Sequence, residues 1–130
     1  MYKRQGAARN LTPGRRSSAG FLAWPSASRL LVTELAGEAT AVVELDPTTG
    51  MARTLFSGNE TLSPGRGLGL ALAQDGAASA VVRESFDSPP EVWAGPIGAW
   101  TRLTDENKGL KPEWGPAASC LLYTSPSPRD

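Results

Sequence analysis

The chain has 130 residues, of which 40% are hydrophobic, with 13 basic and 13 acidic residues and no histidine. This charge balance gives no electrostatic reason to expect a nucleic acid or an anionic membrane as a partner. The lack of histidine excludes a Ser-His-Asp triad within the chain. No apolar run approaches the ~18 residues that span a bilayer, and we expect a soluble, cytoplasmic protein.

The two ends of the chain match translated sequencing adapters. Residues 1–5 read as a transposon mosaic end translated in one frame, and residues 120–130 read as the opposite-strand mosaic end with its adapter. We expect residues 6–119 to be a natural segment cut at both ends. Without the two ends, 10 basic and 12 acidic residues remain. The single cysteine, Cys120, belongs to the excluded end, so the natural segment offers no disulfide and no cysteine-ligated metal.

A short motif occurs three times along the chain. In each copy an arginine precedes a leucine by one or two residues, and the leucines are Leu11, Leu55 and Leu103. These leucines are 44 and 48 residues apart, a spacing typical of β-propeller blades. The first copy, in residues 8–12, is predicted to be the closing strand of a preceding blade.

The sequence then predicts one four-stranded blade over residues 15–58. Short apolar runs are separated by a turn at Gly37-Glu38 and a longer one at Asp46–Gly50, where proline and glycine favour chain reversal. The predicted strands are Gly20–Pro25, Arg29–Leu35, Ala41–Leu45 and Met51–Phe56.

A second blade is predicted over residues 66–107, followed by an exit segment over residues 108–119. In its first strand, leucines alternate with glycine and alanine, a period of two with bulky residues on one face. The predicted strands are Leu68–Leu72, Ala78–Arg83, Glu91–Ala94 and Ala99–Thr104. Because 11 prolines and 14 glycines interrupt every helical candidate, the predicted fold class is all-β. A β-propeller fragment is favoured, and a β-sandwich fragment is the alternative.

The later part of the chain resembles the last propeller blade of the prolyl oligopeptidase family. The residues that carry the resemblance are Ser85–Trp93, with its Pro-Pro-Glu run, Trp100–Asn107, with its Arg-Leu-Thr run, and Leu110–Gly115, which contains Trp114. They are most similar to the acylaminoacyl-peptidase and dipeptidyl-aminopeptidase branch. The unit with the Asp46–Gly50 turn and Arg53 resembles the preceding blade.

The resemblance implies a non-catalytic part of a serine oligopeptidase. In that family the propeller gates the access of peptides to an α/β-hydrolase domain, which holds a Gly-x-Ser-x-Gly serine, an aspartate and a histidine. That domain, which we expect to follow Ser119, and the peptide substrates are the expected partners. The alternative is a stand-alone propeller, similar to WD40 or TolB proteins, that binds a protein or a ligand. No family substrate-binding residue carries over to this sequence.

Three stretches could be taken for binding sites. Gly65–Gly69 is rich in glycine, but it lacks the lysine of a phosphate loop, and we interpret it as a turn. Glu84, Asp87 and Glu91 could face a channel and bind an amino group, or could form a solvated loop, which we favour. Asp105–Asn107 lacks the ligand spacing of a calcium loop and is interpreted as a surface turn.

The four tryptophans are predicted to be apolar wedges between blades. No basic residues are interleaved with Trp24, Trp93, Trp100 and Trp114 as a nucleic-acid stacking surface requires. The sequence therefore assigns no catalytic, cofactor-binding or metal-binding residue, and we expect no cofactor.

Overall fold

The computed structural model describes residues 6–63, 65, 67–110, 113, 115 and 118. Within these residues the chain forms nine β-strands and no helix, in agreement with the predicted all-β class. The terminal ranges 1–5 and 120–130, together with Trp114 of the predicted exit segment, lie outside the described residues. In the described part of the chain, no helix is long and apolar enough to cross a membrane.

The first sheet is a four-stranded antiparallel meander. Its strands lie side by side in chain order and are β1 (Ser18–Ser26), β2 (Arg29–Ala36), β3 (Ala39–Leu45) and β4 (Ala52–Gly58). Each predicted strand of the first unit is confirmed to within two residues at both ends. The agreement follows from strong turn chemistry at the strand ends.

Two turns of the first sheet show that chemistry. Between β2 and β3, Gly37 adopts a φ of 65° in a two-residue hairpin loop, a conformation that costs glycine nothing. Between β3 and β4, the Asp46 carboxylate accepts hydrogen bonds from the backbone N–H groups of Thr48 at 2.7 Å and Thr49 at 3.2 Å. Gly50, with a φ of 75°, then lets the chain enter β4.

The second sheet contains five strands and has a divided edge. The strands are β5 (Thr61–Ser63), β6 (Ala71–Leu72), β7 (Ser79–Glu84), β8 (Glu91–Gly95) and β9 (Thr101–Arg102). β5 pairs with residues 82–84 of β7, and β6 pairs with residues 79–80. β8 and β9 follow on the other side of β7. The two short strands therefore share the place that one strand occupies in the first sheet.

The predicted first strand of the second unit, Leu68–Leu72, is only partly correct. Only Ala71 and Leu72 pair with β7, and β5, which also pairs with it, lies before the predicted start at residue 66. Gly67 has a φ of 68° and Gly69 a φ of 154°, and these values interrupt an extended strand. The alternation of leucine with small residues therefore arises from a bent loop whose Leu70 is buried.

The three leucine motifs do not occupy equivalent positions. The second and third copies overlap β4 and β9, the last strand of each sheet, although Leu103 of the third copy lies just after β9. The first copy does not, because residues 8–12 form no strand, and the prediction of a preceding closing strand is wrong for these residues. Leu11 instead packs against a buried cluster on the first sheet.

The two faces of the first sheet are buried in different ways. One face forms a cluster of Leu30, Val32, Ala41, Val43 and Leu45, against which Leu11 packs. The opposite face packs against the second sheet, and the joint cluster contains Val42 and Phe56 from the first sheet with Leu62, Leu70, Val81 and Trp100. The sheets are thus stacked face to face.

Among the described residues, one buried side-chain oxygen has no hydrogen-bond partner. Thr33 of β2 is fully buried, and its hydroxyl oxygen has no hydrogen-bond partner among the described residues. Because an unsatisfied buried hydroxyl is destabilising, we expect Thr33→Val to raise the free energy of unfolding by about 1 kcal/mol. Urea unfolding would measure this gain. Thr54→Val, on an exposed position of β4, is the matched control, and a loss of stability in Thr33→Val would contradict the assignment.

Candidate functional site

Arg83 is the centre of a charged and aromatic cluster between the two sheets. It follows Val81 by two positions on β7, so both side chains point to the buried face of the second sheet. Its guanidinium donates to the Glu60 carboxylate from Nε at 3.1 Å and from Nη2 at 2.8 Å. The Arg83 side chain is 19% exposed and that of Glu60 is 33% exposed. This pair ties β7 to the connection between β4 and β5.

Three aromatic rings surround the same guanidinium. The Arg83 Cζ lies 4.3 Å from the ring centre of Trp93, 5.6 Å from that of Phe56 and 5.8 Å from that of Trp100. These distances fall within the range of cation–π attraction. Phe56 belongs to the first sheet and meets Trp100 edge-on, with ring centres 5.1 Å apart. Arg83 therefore contacts both sheets at their junction.

Glu91, the first residue of β8, is a buried carboxylate with several donors. Its side chain is 4% exposed, and its partners all lie just after β9 or at its end. It accepts hydrogen bonds from the Thr104 hydroxyl, from the backbone N–H of Asn107 at 3.0 Å and from that of Glu106 at 3.3 Å. The remaining contacts are the Asn107 side-chain amide at 3.3 Å and the Arg102 guanidinium at 3.1 Å. We call Glu91 and these four partners the Glu91 clasp.

These donors stabilise the charged form of Glu91. The Thr104 hydroxyl, the backbone N–H groups of Asn107 and Glu106 and the Arg102 guanidinium lower the pKa of Glu91 from 4.5 to about 2, against the opposing effect of burial. A carboxyl group with a lower pKa in the folded state contributes stability above its unfolded pKa and loses it as the pH falls through the folded pKa. The clasp should therefore weaken between about pH 5 and pH 2.

Acid titration of Glu91→Gln tests this electrostatic contribution. We expect Glu91→Gln to lower the melting temperature at pH 7 by about 5 °C. The glutamine side chain has no charge, and its amide nitrogen is a donor that faces the other donors of the clasp. The difference from the unaltered chain should shrink as the pH falls toward 2, where Glu91 itself becomes neutral. Thermal unfolding at several pH values would measure it. A difference that stays constant with pH would show that the Glu91 charge contributes nothing.

Two spaces adjoin Arg83, and they differ greatly in size. A cavity of about 120 Å³ lies between Arg83 and Glu91, and its lining also includes Glu60, Glu84, Trp93 and Arg102. This volume suits a few water molecules and is below that of ordinary ligand pockets. A much larger open cleft, of about 1070 Å³, lies beside the Gly37-Glu38 turn, the connection between β4 and β5 and the loop 85–87.

The acidic residues that the sequence analysis named as possible binding sites lie in different environments. Glu91 is buried and fully engaged, contrary to the expected solvated loop, whereas Asp87 is exposed in the turn after β7 and lines the open cleft. The surface turn predicted at Asp105–Asn107 is confirmed, and two of its backbone N–H groups point at Glu91. In the part of the chain that is described, no group of three or more acidic, histidine or cysteine residues could hold a metal.

The glycine-rich stretch and Trp100, also considered as binding sites, make packing contacts instead. Among the described residues, no helix follows the glycine-rich stretch at residues 65–69, and a Cβ on Gly69 would collide with the Phe21 ring of β1. Trp100 is buried between the sheets, as predicted for a wedge, and its indole N–H donates to the Ser79 hydroxyl at 2.7 Å. Trp24 is 58% exposed and is not a wedge between the described sheets.

Arg83 and Glu60 did not emerge from the sequence as a pair. The period of two places Arg83 on the same face as Val81, so the sequence holds a signal that this charge needs a buried partner. The identity of that partner could not be inferred, because Glu60 lies 23 residues earlier, between the two predicted blades.

Comparisons with protein-family models, with curated proteins and with solved structures give no significant match.

Proposed function

We propose that this chain is part of the propeller domain of a serine oligopeptidase similar to the prolyl oligopeptidase family. In this proposal it performs no catalysis and limits the access of peptides to an α/β-hydrolase domain elsewhere in the parent protein. Since the chain has no histidine, hydrolysis by a Ser-His-Asp triad must come from residues outside it.

The observation that carries the proposal is the Glu91 clasp. Two of the three stretches on which the resemblance rests are brought together around one buried carboxylate, namely the Pro-Pro-Glu run and the Arg-Leu-Thr run with its asparagine. A shared structural purpose explains why these residue types occur at this spacing. The clasp fastens the chain as it leaves the last strand, where the proposal places the connection to the hydrolase domain.

The stacking of the two sheets also supports the proposal. Two antiparallel sheets, of four and five strands, pack face to face through the cluster around Val42 and Val81. Blades of a propeller pack in this manner around a central channel. The same packing occurs in a sandwich, so it supports the propeller less strongly than the clasp supports the family.

The source DNA downstream of the codon for Ser119 provides the direct test. We expect about 250 further residues with Gly-x-Ser-x-Gly, then aspartate, then histidine, the chain order of an α/β-hydrolase triad. A stop codon, or a further blade without a hydrolase, would overturn the proposal in favour of a stand-alone binding propeller.

If the parent protein is recovered, its substrate range tests the gating role. Deletion of the propeller should allow cleavage of folded or long substrates that the intact protein excludes, whereas short peptides should be cleaved by both forms. The matched control is a substitution of the nucleophilic serine, which should abolish cleavage of both substrate sizes. A deletion that leaves the size preference unchanged would contradict a gating function.

A further inference from the structure

The segment that follows β9 is held by polar contacts, most of which reach the start of β8. Pairing between β8 and β9 ends at the backbone hydrogen bond from Leu103 N–H to the Val92 carbonyl, 2.8 Å long. Residues 104–107 are not in a strand. Leu103 is 64% exposed and Leu110 is 60% exposed, so apolar burial does not anchor the segment at these two positions.

The hydrogen bonds of this segment converge on the start of β8. Thr104, Glu106 and Asn107 all donate to the Glu91 carboxylate. The Asn107 side chain also donates to the Pro90 carbonyl at 2.9 Å. The Thr104 hydroxyl in turn accepts the Val92 N–H at 2.9 Å. One carboxylate thus accepts hydrogen bonds from three of the four residues 104–107.

We propose that Glu91 is a positioning residue that fixes the direction in which the chain leaves the second sheet. This inference rests on the proposed function. The direction of the chain then sets how the hydrolase domain lies over the propeller, and hence which substrates reach it. Arg102 contributes an ion pair with Glu91 at 3.1 Å, while its Nε donates to the Thr104 carbonyl at 2.7 Å. The turn is further closed by hydrogen bonds from Lys108 to Asp105 and from Leu110 to Asn107.

Amide hydrogen exchange on the present chain tests the positioning role without the hydrolase domain. In the unaltered chain, the N–H groups of Glu106 and Asn107 should be protected. In Glu91→Gln, the exchange rate of these two amides should increase at least about tenfold more than that of the core amides of Val42 and Val81. The reason is that the segment opens locally while the core stays closed. Thr104→Val, which keeps the Glu91 charge and removes one donor, should show the same pattern with a smaller change.

Glu44→Gln is the matched control, since Glu44 is also a paired carboxylate on a strand but contacts Arg29 and Arg53. It should leave the 106–107 amides protected. Equal acceleration of the segment and the core in Glu91→Gln would mean that Glu91 only adds overall stability, and the proposal would fail. A downstream sequence without a hydrolase would remove the proposed function but leave the exchange result intact.

Discussion

Gly98→Ala is expected to be among the most destabilising single substitutions in this chain, with a loss of about 3 kcal/mol in the free energy of unfolding. Gly98 lies in the turn between β8 and β9 and has a φ of 84°. A Cβ at this position would overlap the backbone carbonyl oxygen of Leu55 on β4. Since a backbone atom cannot rotate away as a side chain can, the turn and the first sheet would have to separate.

Gly37→Ala separates the two contributions to this loss. Gly37 also has a positive φ, of 65°, but a Cβ there would meet nothing within 4 Å. We expect it to cost about 1 kcal/mol, the penalty of the backbone conformation alone. Urea unfolding of both variants gives the comparison. If Gly98→Ala were as mild as Gly37→Ala, the close contact between the turn and β4 would not exist in solution.

The glycine contacts explain how the sheets approach each other. A Cβ on Gly69 would collide with the Phe21 ring, and one on Gly76 would collide with Pro25. Both glycines belong to the second sheet or its loops, and both partners belong to β1. The sequence places Gly69 in the predicted turn at Gly65–Gly69 and in the predicted strand Leu68–Leu72. The contacts with Phe21 and Pro25 could not be predicted, because they depend on which part of the first sheet lies opposite.

The strands of the first sheet could be predicted because local signals agree there. Apolar runs, the Gly37 hairpin and the Asp46–Gly50 turn all indicate the same boundaries. In the second sheet, β5 has only three residues, too few for a period of two to be recognised. The period from Leu68 to Leu72 was misleading, because positive φ at Gly67 and Gly69 breaks the strand that it suggests.

The sequence indicated where the clasp lies but not what it does. The resemblance singled out Glu91 and the Arg102–Asn107 segment, yet the acidic residues around Glu91 were interpreted as a solvated loop. A carboxylate becomes buried only if enough donors surround it. Two of those donors are the backbone N–H groups of Glu106 and Asn107, whose positions are set only when the turn after β9 folds back.

Arg83→Lys should be the second large effect, with a loss of about 2 kcal/mol in the free energy of unfolding. Lysine keeps the charge but loses the planar fork that engages both Glu60 oxygens, and it loses the stacking over Trp93 at 4.3 Å. Arg53→Lys is the matched control. Arg53 also pairs with a glutamate, at 3.1 Å, but its side chain is 72% exposed, so we expect a change below about 0.5 kcal/mol.

A double-mutant cycle with Glu60→Gln separates the ion pair from the aromatic contacts of Arg83. If the ion pair carries most of the effect, Arg83→Lys should cost little once Glu60 is neutral. We expect instead that at least about half of the loss remains, because three rings surround the guanidinium and one of them, Phe56, belongs to the other sheet. Complete loss of the effect in the Glu60→Gln background would contradict this assignment. Arg83 would then stabilise the second sheet through Glu60 alone, and the junction between the sheets would depend on the apolar cluster around Val42 and Trp100.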